Sequence, residues 1–168
     1  LVYPEKRKKL SRKKRENELE EAKETAFRFL SYRPRSVLEV KRKLQEKEFS
    51  PHTITAILSR LKELGYLNDE EFAVTVARSS LKNKQWGPIR IYDALLKKGI
   101  ERDIIDRTLA KLTREYDVTQ VAQHALESKF ALKPHQCKEE KTRKKVVSYL
   151  KRKGFSWNTI YSVIKFSP

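Results

Sequence analysis

One cysteine, Cys137, and no methionine occur in these 168 residues. A single thiol excludes an internal disulfide framework and fits a reducing compartment. The missing methionine places the start at Leu1 by truncation or processing. Glycine and proline are scarce, four and six, so little in the chain forces a turn. No apolar run approaches the roughly 18 residues of a membrane span, and no apolar segment follows the basic start, which argues against a signal peptide. Acids are outnumbered: 22 Asp and Glu face 39 Lys and Arg, for a net charge of +17. Charged residues reach 36% and apolar ones 38%. That is too polar for one thick core, yet too rich in Leu, Ile, Val, Phe and Tyr for disorder.

The charge is uneven. Residues 1–15 carry eight basic side chains and one acid, and residues 141–168 carry eight and none. A solvated surface accounts for an isolated lysine run. A net +17 on a chain this short points instead to a polyanion, nucleic acid first and an anionic membrane surface second.

Apolar spacing is helical almost throughout. Leu19, Ala22, Ala26, Phe29 and Leu30 share one face of a first helix, which Pro34 ends. Val37, Val40 and Leu44 make a shorter stripe. Ser50-Pro51 reads as an N-cap with proline at the first helical position, and the stripe from Ile54 to Leu64 runs to Gly65, a C-terminal glycine. Alternating strand patterns are lacking, so the fold class is all-α.

Leu44, Leu95 and Leu150 align as one position of an internal repeat. Four residues earlier stand Val40, Ile91 and Val146; five later stand Phe49, Ile100 and Phe155. Ten later come Ile54, Ile105 and Ile160, and three later a lysine each time, Lys47, Lys98 and Lys153. The pattern predicts three tandem three-helix repeats, residues 16–67, 68–114 and 115–168, behind a basic helical extension over 1–15. Stacked repeats of this size are expected to form an elongated, curved molecule. The repeated lysines fall in the last turns of their helices, where a cation complements the dipole and reaches free carbonyls. Asn68-Asp69-Glu70-Glu71 after Gly65 reads as a helix cap rather than a catalytic acid cluster.

Two segments carry a family resemblance. Gly65-Tyr66-Leu67-Asn68-Asp69-Glu70-Glu71-Phe72-Ala73 resembles the Gly-Tyr-Leu-(Asp/Asn)-Asp…Phe-Ala signature of the bacterial RecX family. Gly87-Pro88-Ile89-Arg90-Ile91, continuing through Leu95 to Lys98-Gly99-Ile100, is similar to a second segment of that family. With the triplicated helices, the resemblance spans residues 20–166; the basic lead stands outside the common pattern. It implies a tandem three-helix protein that binds the RecA–DNA filament and modulates, mostly inhibits, the recombinase, without catalysis and without a cofactor. It also implies a bacterial cytoplasm, or an organelle of bacterial descent.

The repeat register compares the middle helices directly. Positions five before and two after the shared leucine are Glu39 and Glu46 in the first repeat, Arg90 and Lys97 in the second, Lys145 and Arg152 in the third. Seven residues span ~10.5 Å of helix, a spacing that suits successive phosphates. Repeats two and three are therefore expected to face DNA or the filament, with Lys141, Arg143, Lys144 and Lys151 reinforcing the surface. Glu39 and Glu46 are expected to meet protein. Trp86 is the first candidate for base stacking, followed by Tyr92 and Trp157, each weighed against a role in a small helical core.

Catalytic readings find little. Neither Gly65 nor Gly87 belongs to a phosphate-cradling loop. His52, His124 and His135 are scattered, and His135 with Cys137 provides too few ligands for zinc. Cys137 has no indicated base; a polar loop, Lys133 to Cys137, accounts for that cluster. The expected partners are the RecA filament and single- and double-stranded DNA without sequence preference, met by a monomer. The rival is a helical DNA-binding protein that acts without RecA. A membrane role for residues 1–15 fails for want of large apolar groups.

Overall fold

From Pro4 to Pro34 the chain has no other helix breaker and is dense in Lys, Arg, Glu, Leu and Ala, all strong helix formers. In the computed structural model this stretch is one helix, α1 (Pro4–Ser31). The basic lead and the first helix of repeat one are thus continuous rather than two elements. The structure describes residues 4–131 and 139–165, with side chains over 13–131 and 139–164. Lys133 to Cys137, including His135, lie outside the described residues.

Eight further helices follow α1 among the described residues: α2 (Val37–Glu46), α3 (Pro51–Glu63), α4 (Asp69–Lys84), α5 (Pro88–Lys97), α6 (Arg102–Glu115), α7 (Val118–Phe130), α8 (Glu140–Lys153) and α9 (Trp157–Lys165). Two compact units divide the chain, Leu1–Phe72 and Ala73–Pro168.

In the first unit, Ala22 and Ala26 of α1 pack with Val40 and Leu44 of α2 and with Ile54, Ile57 and Leu61 of α3; Leu67 completes that core. Capping holds the joints. Ser36 and Glu39 form a reciprocal capping box on α2. Ser50 accepts from Thr53 N at the start of α3, and Glu18 of α1 accepts from Ser50 N at 2.7 Å. Asn68 accepts from the backbone N–H groups of Glu70 and Glu71, while Asp69 accepts from Val37 N at 3.0 Å. Asn68 and Asp69 therefore each hold a helix end.

In the second unit, Ile91 and Leu95 of α5 are buried, as are Ile105 and Leu112 of α6. The third repeat gathers Ala122, Ala125 and Leu126 with Val146, Leu150, Phe155, Ile160, Val163 and Ile164. The register aligned on Leu44, Leu95 and Leu150 is repeated in the backbone. Each leucine carbonyl accepts from the N–H five residues on, from Phe49 at 3.4 Å, Ile100 at 3.2 Å and Phe155 at 3.2 Å, the helix-ending pattern of a Schellman motif. The residue before each of these donors is left-handed: Glu48 (φ 59°), Gly99 (φ 79°) and Gly154 (φ 85°). The first repeat closes the same turn without glycine.

Candidate nucleic-acid interface

α5 begins at Gly87-Pro88, and no side chain caps it. Its free N–H groups are satisfied from another helix end. Gly87 N donates to Lys153 O at 2.7 Å and Ile89 N to Gly154 O at 3.1 Å, so the C-terminal carbonyls of α8 close the N-terminus of α5. Each end supplies what the other lacks, and the two helix dipoles meet with opposite partial charges. The approach is too close for a side chain. A Cβ on Gly87 would sit 2.5 Å from Phe155 N and closer to Gly154 C and O, and a Cβ on Gly154 would sit 2.9 Å from Arg90 Cα and closer to its N and Cβ.

This junction opens into a groove of about 420 Å³, lined by Trp86, Ile89, Arg90, Asp93, Ala94 and Lys97 on one side and Lys151, Arg152 and Gly154 on the other. Four basic side chains face one acid there. Five residues singled out from sequence (Trp86, Arg90, Lys97, Lys151 and Arg152) are brought together. The cations divide by what they touch. Arg90 donates to Arg152 O at 3.0 Å and lies 4.3 Å from the Trp86 ring, so it builds the groove as well as charging it. Lys97 and Arg152 are exposed, and among the described residues their side chains make no hydrogen bond or ion pair. Behind the groove, Lys153 Nζ donates to Lys84 O, the last carbonyl of α4, at 2.7 Å. Burial, then the charge of Arg90, holds its pKa below the usual lysine value.

The other basic candidates lie along α8. At 100° per residue, Lys141, Lys145 and Arg152 share one face, with Lys144 and Lys151 on its flank. Arg143 is exposed as well, but leaves the helix on the side that carries Val146 and Leu150 further along. Lys144 pairs with Glu140 at 2.7 Å, both well exposed, a contact worth little in water.

Trp86 is half-buried and meets two cations, Arg90 and Lys84 Nζ, the latter at 4.6 Å; its place is in the groove wall. Tyr92 is half-buried on α5, away from the face of residues 90, 93, 94 and 97 that lines the groove. Trp157, the third aromatic candidate, is 60% exposed. Glu39 accepts from Ser36 N at 3.1 Å and pairs with Arg33 at 2.9 Å, which commits it to the capping of α2. Glu46 is exposed and pairs with Lys43 at 3.1 Å. Among the described residues, no group of three His, Cys, Asp or Glu could hold a metal ion, and no helix is long and apolar enough to cross a membrane.

Three successive family profiles match: RecX first three-helix domain over residues 22–61, second over 68–109 and third over 115–164. The regulatory protein RecX of Bacillus subtilis is 34% identical over 135 residues, covering 80% of this chain and 50% of that protein. The regulatory protein RecX of Pelodictyon phaeoclathratiforme is 33% identical over 140 residues, covering 83% of this chain and 84% of that protein. The chain thus spans about half the length of the Bacillus relative and most of the other. A crystal structure of RecX from Lactobacillus salivarius has the same fold, with a TM-score of 0.76 at 24% identity over 89% of this chain and 96% of that one. Three matched domains in order, and relatives above 30% identity, establish that this chain belongs to the RecX family.

Proposed function

We propose that the chain binds the RecA–DNA filament and modulates, mainly by inhibiting, its ATPase and strand-exchange activity, acting by occupancy rather than chemistry. The observation that carries this reading is the α5–α8 groove, where Arg90, Lys97, Lys151 and Arg152 converge from two repeats. Lys141, Lys144 and Lys145 extend the basic surface along α8, giving several weak phosphate contacts in place of one strong one. In the first unit, Glu46 is the acid we assign to protein contact, since Glu39 serves its own helix. DNA contact is sequence-independent, because the basic side chains that line the groove and α8 suit phosphates of any sequence. The setting is the bacterial cytoplasm and the acting species a monomer.

The test is a DNA-dependent RecA ATPase and strand-exchange assay with and without this protein. Suppression of either is expected; no effect on both would refute the proposal. The second reading, DNA binding without RecA, draws on the same basic groove. It predicts a salt dependence that RecA does not change, whereas filament recognition brings tighter and less salt-sensitive binding.

A further inference from the structure

α9 turns two large aromatics outward. Trp157 is 60% exposed and Tyr161 54%, four residues apart and so on one face, about 6 Å apart along the axis. Ile160, Val163 and Ile164 of the same helix join the core, Val163 on the side away from the two rings and Ile164 about one turn beyond Tyr161. The repeats supply an internal control. In the register of Leu44, Leu95 and Leu150, Trp157 corresponds to Pro51 and Arg102, and Tyr161 to Thr55 and Asp106. All four of those residues are exposed as well. The fold therefore keeps both positions at the surface in every repeat and requires an aromatic at neither. Only the third repeat places aromatics there, beside its most basic helix.

The surroundings match a polyanion. Lys151 Nζ lies 5.2 Å from the Trp157 ring, and the same lysine lines the α5–α8 groove. We infer that Trp157 and Tyr161 form a stacking platform for the bases of single-stranded DNA, with Lys151 holding the adjoining phosphate and connecting the platform to the groove. An exposed ring takes the flat face of any base, and a neighbouring cation fixes the backbone, which gives binding without sequence preference. Duplex DNA is excluded by geometry. Its bases are stacked on one another at 3.4 Å per step and present no free face, while a 6 Å step between rings suits a strand drawn out of its stack. The platform goes beyond the filament reading, because it needs no recombinase.

The experiment uses the full chain and naked DNA, without RecA. In Trp86→Phe the remaining tryptophan is Trp157, since the chain has two. Its emission is followed to saturation with a thymidine oligomer and with a duplex of equal length, so that any loss of affinity from the Trp86 change is overcome. Quenching by the single strand and not by the duplex is expected. Trp157→Ala with Tyr161→Ala, kept folded as judged by far-ultraviolet circular dichroism, is expected to lower single-strand affinity at least about 5-fold, while Trp157→Phe keeps most of the affinity. Trp157 emission that does not respond at single-strand saturation, or equal affinity losses for single strand and duplex, would overturn the platform. RecA inhibition is scored separately, so the filament proposal stands or falls by itself.

Discussion

Gly65 and Gly154 share a left-handed backbone, φ +75° and +85°, but not their surroundings. A Cβ on Gly65 meets nothing within 4 Å, whereas one on Gly154 runs into the backbone of Arg90. Gly65→Ala is therefore expected to cost only the left-handed penalty, about 1–2 kcal/mol. Gly154→Ala adds the displacement of α5, and overpacking of this kind costs about 1–3 kcal/mol, for about 2–5 kcal/mol together. Gly87 separates the two effects, because its φ of −76° suits any residue. Gly87→Ala is left with the steric part alone, again about 1–3 kcal/mol. Urea unfolding followed by far-ultraviolet circular dichroism measures all three. Tryptophan emission reports the unit of Gly87 and Gly154, which contains both Trp86 and Trp157. Because the junction sets the groove walls, Gly87→Ala should also weaken DNA binding where it remains folded. A Gly154→Ala cost no greater than that of Gly65→Ala, or a neutral Gly87→Ala, would refute the close approach of α5 and α8.

Glu48 occupies in the first repeat the left-handed position that glycine holds in the other two. Glu48→Gly should stabilise the protein by about 1 kcal/mol, read as a higher urea midpoint. Glu18 is held below the usual carboxylate pKa of 4.5, first by the hydrogen bond from the Ser50 backbone. Its contribution is present above the unfolded pKa and lost as pH falls through the lower folded value. The melting temperatures of the wild type and Glu18→Gln should thus converge as pH falls below 4.5; a gap that persists at full protonation would contradict this. For DNA, about 4–6 neutralised phosphates on a single strand give a slope of log K against log salt near −3 to −4, and Lys97→Ala should reduce it by about 0.7.

The repeat was legible because it is written in buried residues. The shared leucine, the apolar positions around it and the C-terminal turn recur at fixed offsets, and local hydrogen bonding follows them. Asn68 as a cap was legible for the same reason, its partners being two and three residues away. Contacts across long separations were not. Asp69 reaching Val37 and Glu18 reaching Ser50 depend on tertiary packing that no local pattern encodes. The α5–α8 junction left only two glycines as its trace, and Gly154 also reads as an ordinary helix end. Glu39 shows the opposite hazard. Matching it to Arg90 and Lys145 suggested a partner-facing acid, although Ser36 three residues earlier already spelled a capping box. For Trp86, Tyr92 and Trp157 alike, sequence alone sets base stacking against a place in a small helical core. The repeat register held the better signal for Trp157, since the equivalent residues are Pro51 and Arg102.

The groove's role in filament binding is tested most directly by reversing charge on both of its walls. Lys97→Glu with Arg152→Glu alters two exposed side chains that make no hydrogen bond or ion pair among the described residues, so the melting temperature should hold. A water-screened phosphate contact is worth about 1 kcal/mol per charge. At least about 10-fold more variant should then be needed to suppress DNA-dependent ATP hydrolysis by RecA. A variant that suppresses hydrolysis at the same concentration as the parent chain would contradict the assignment of this groove.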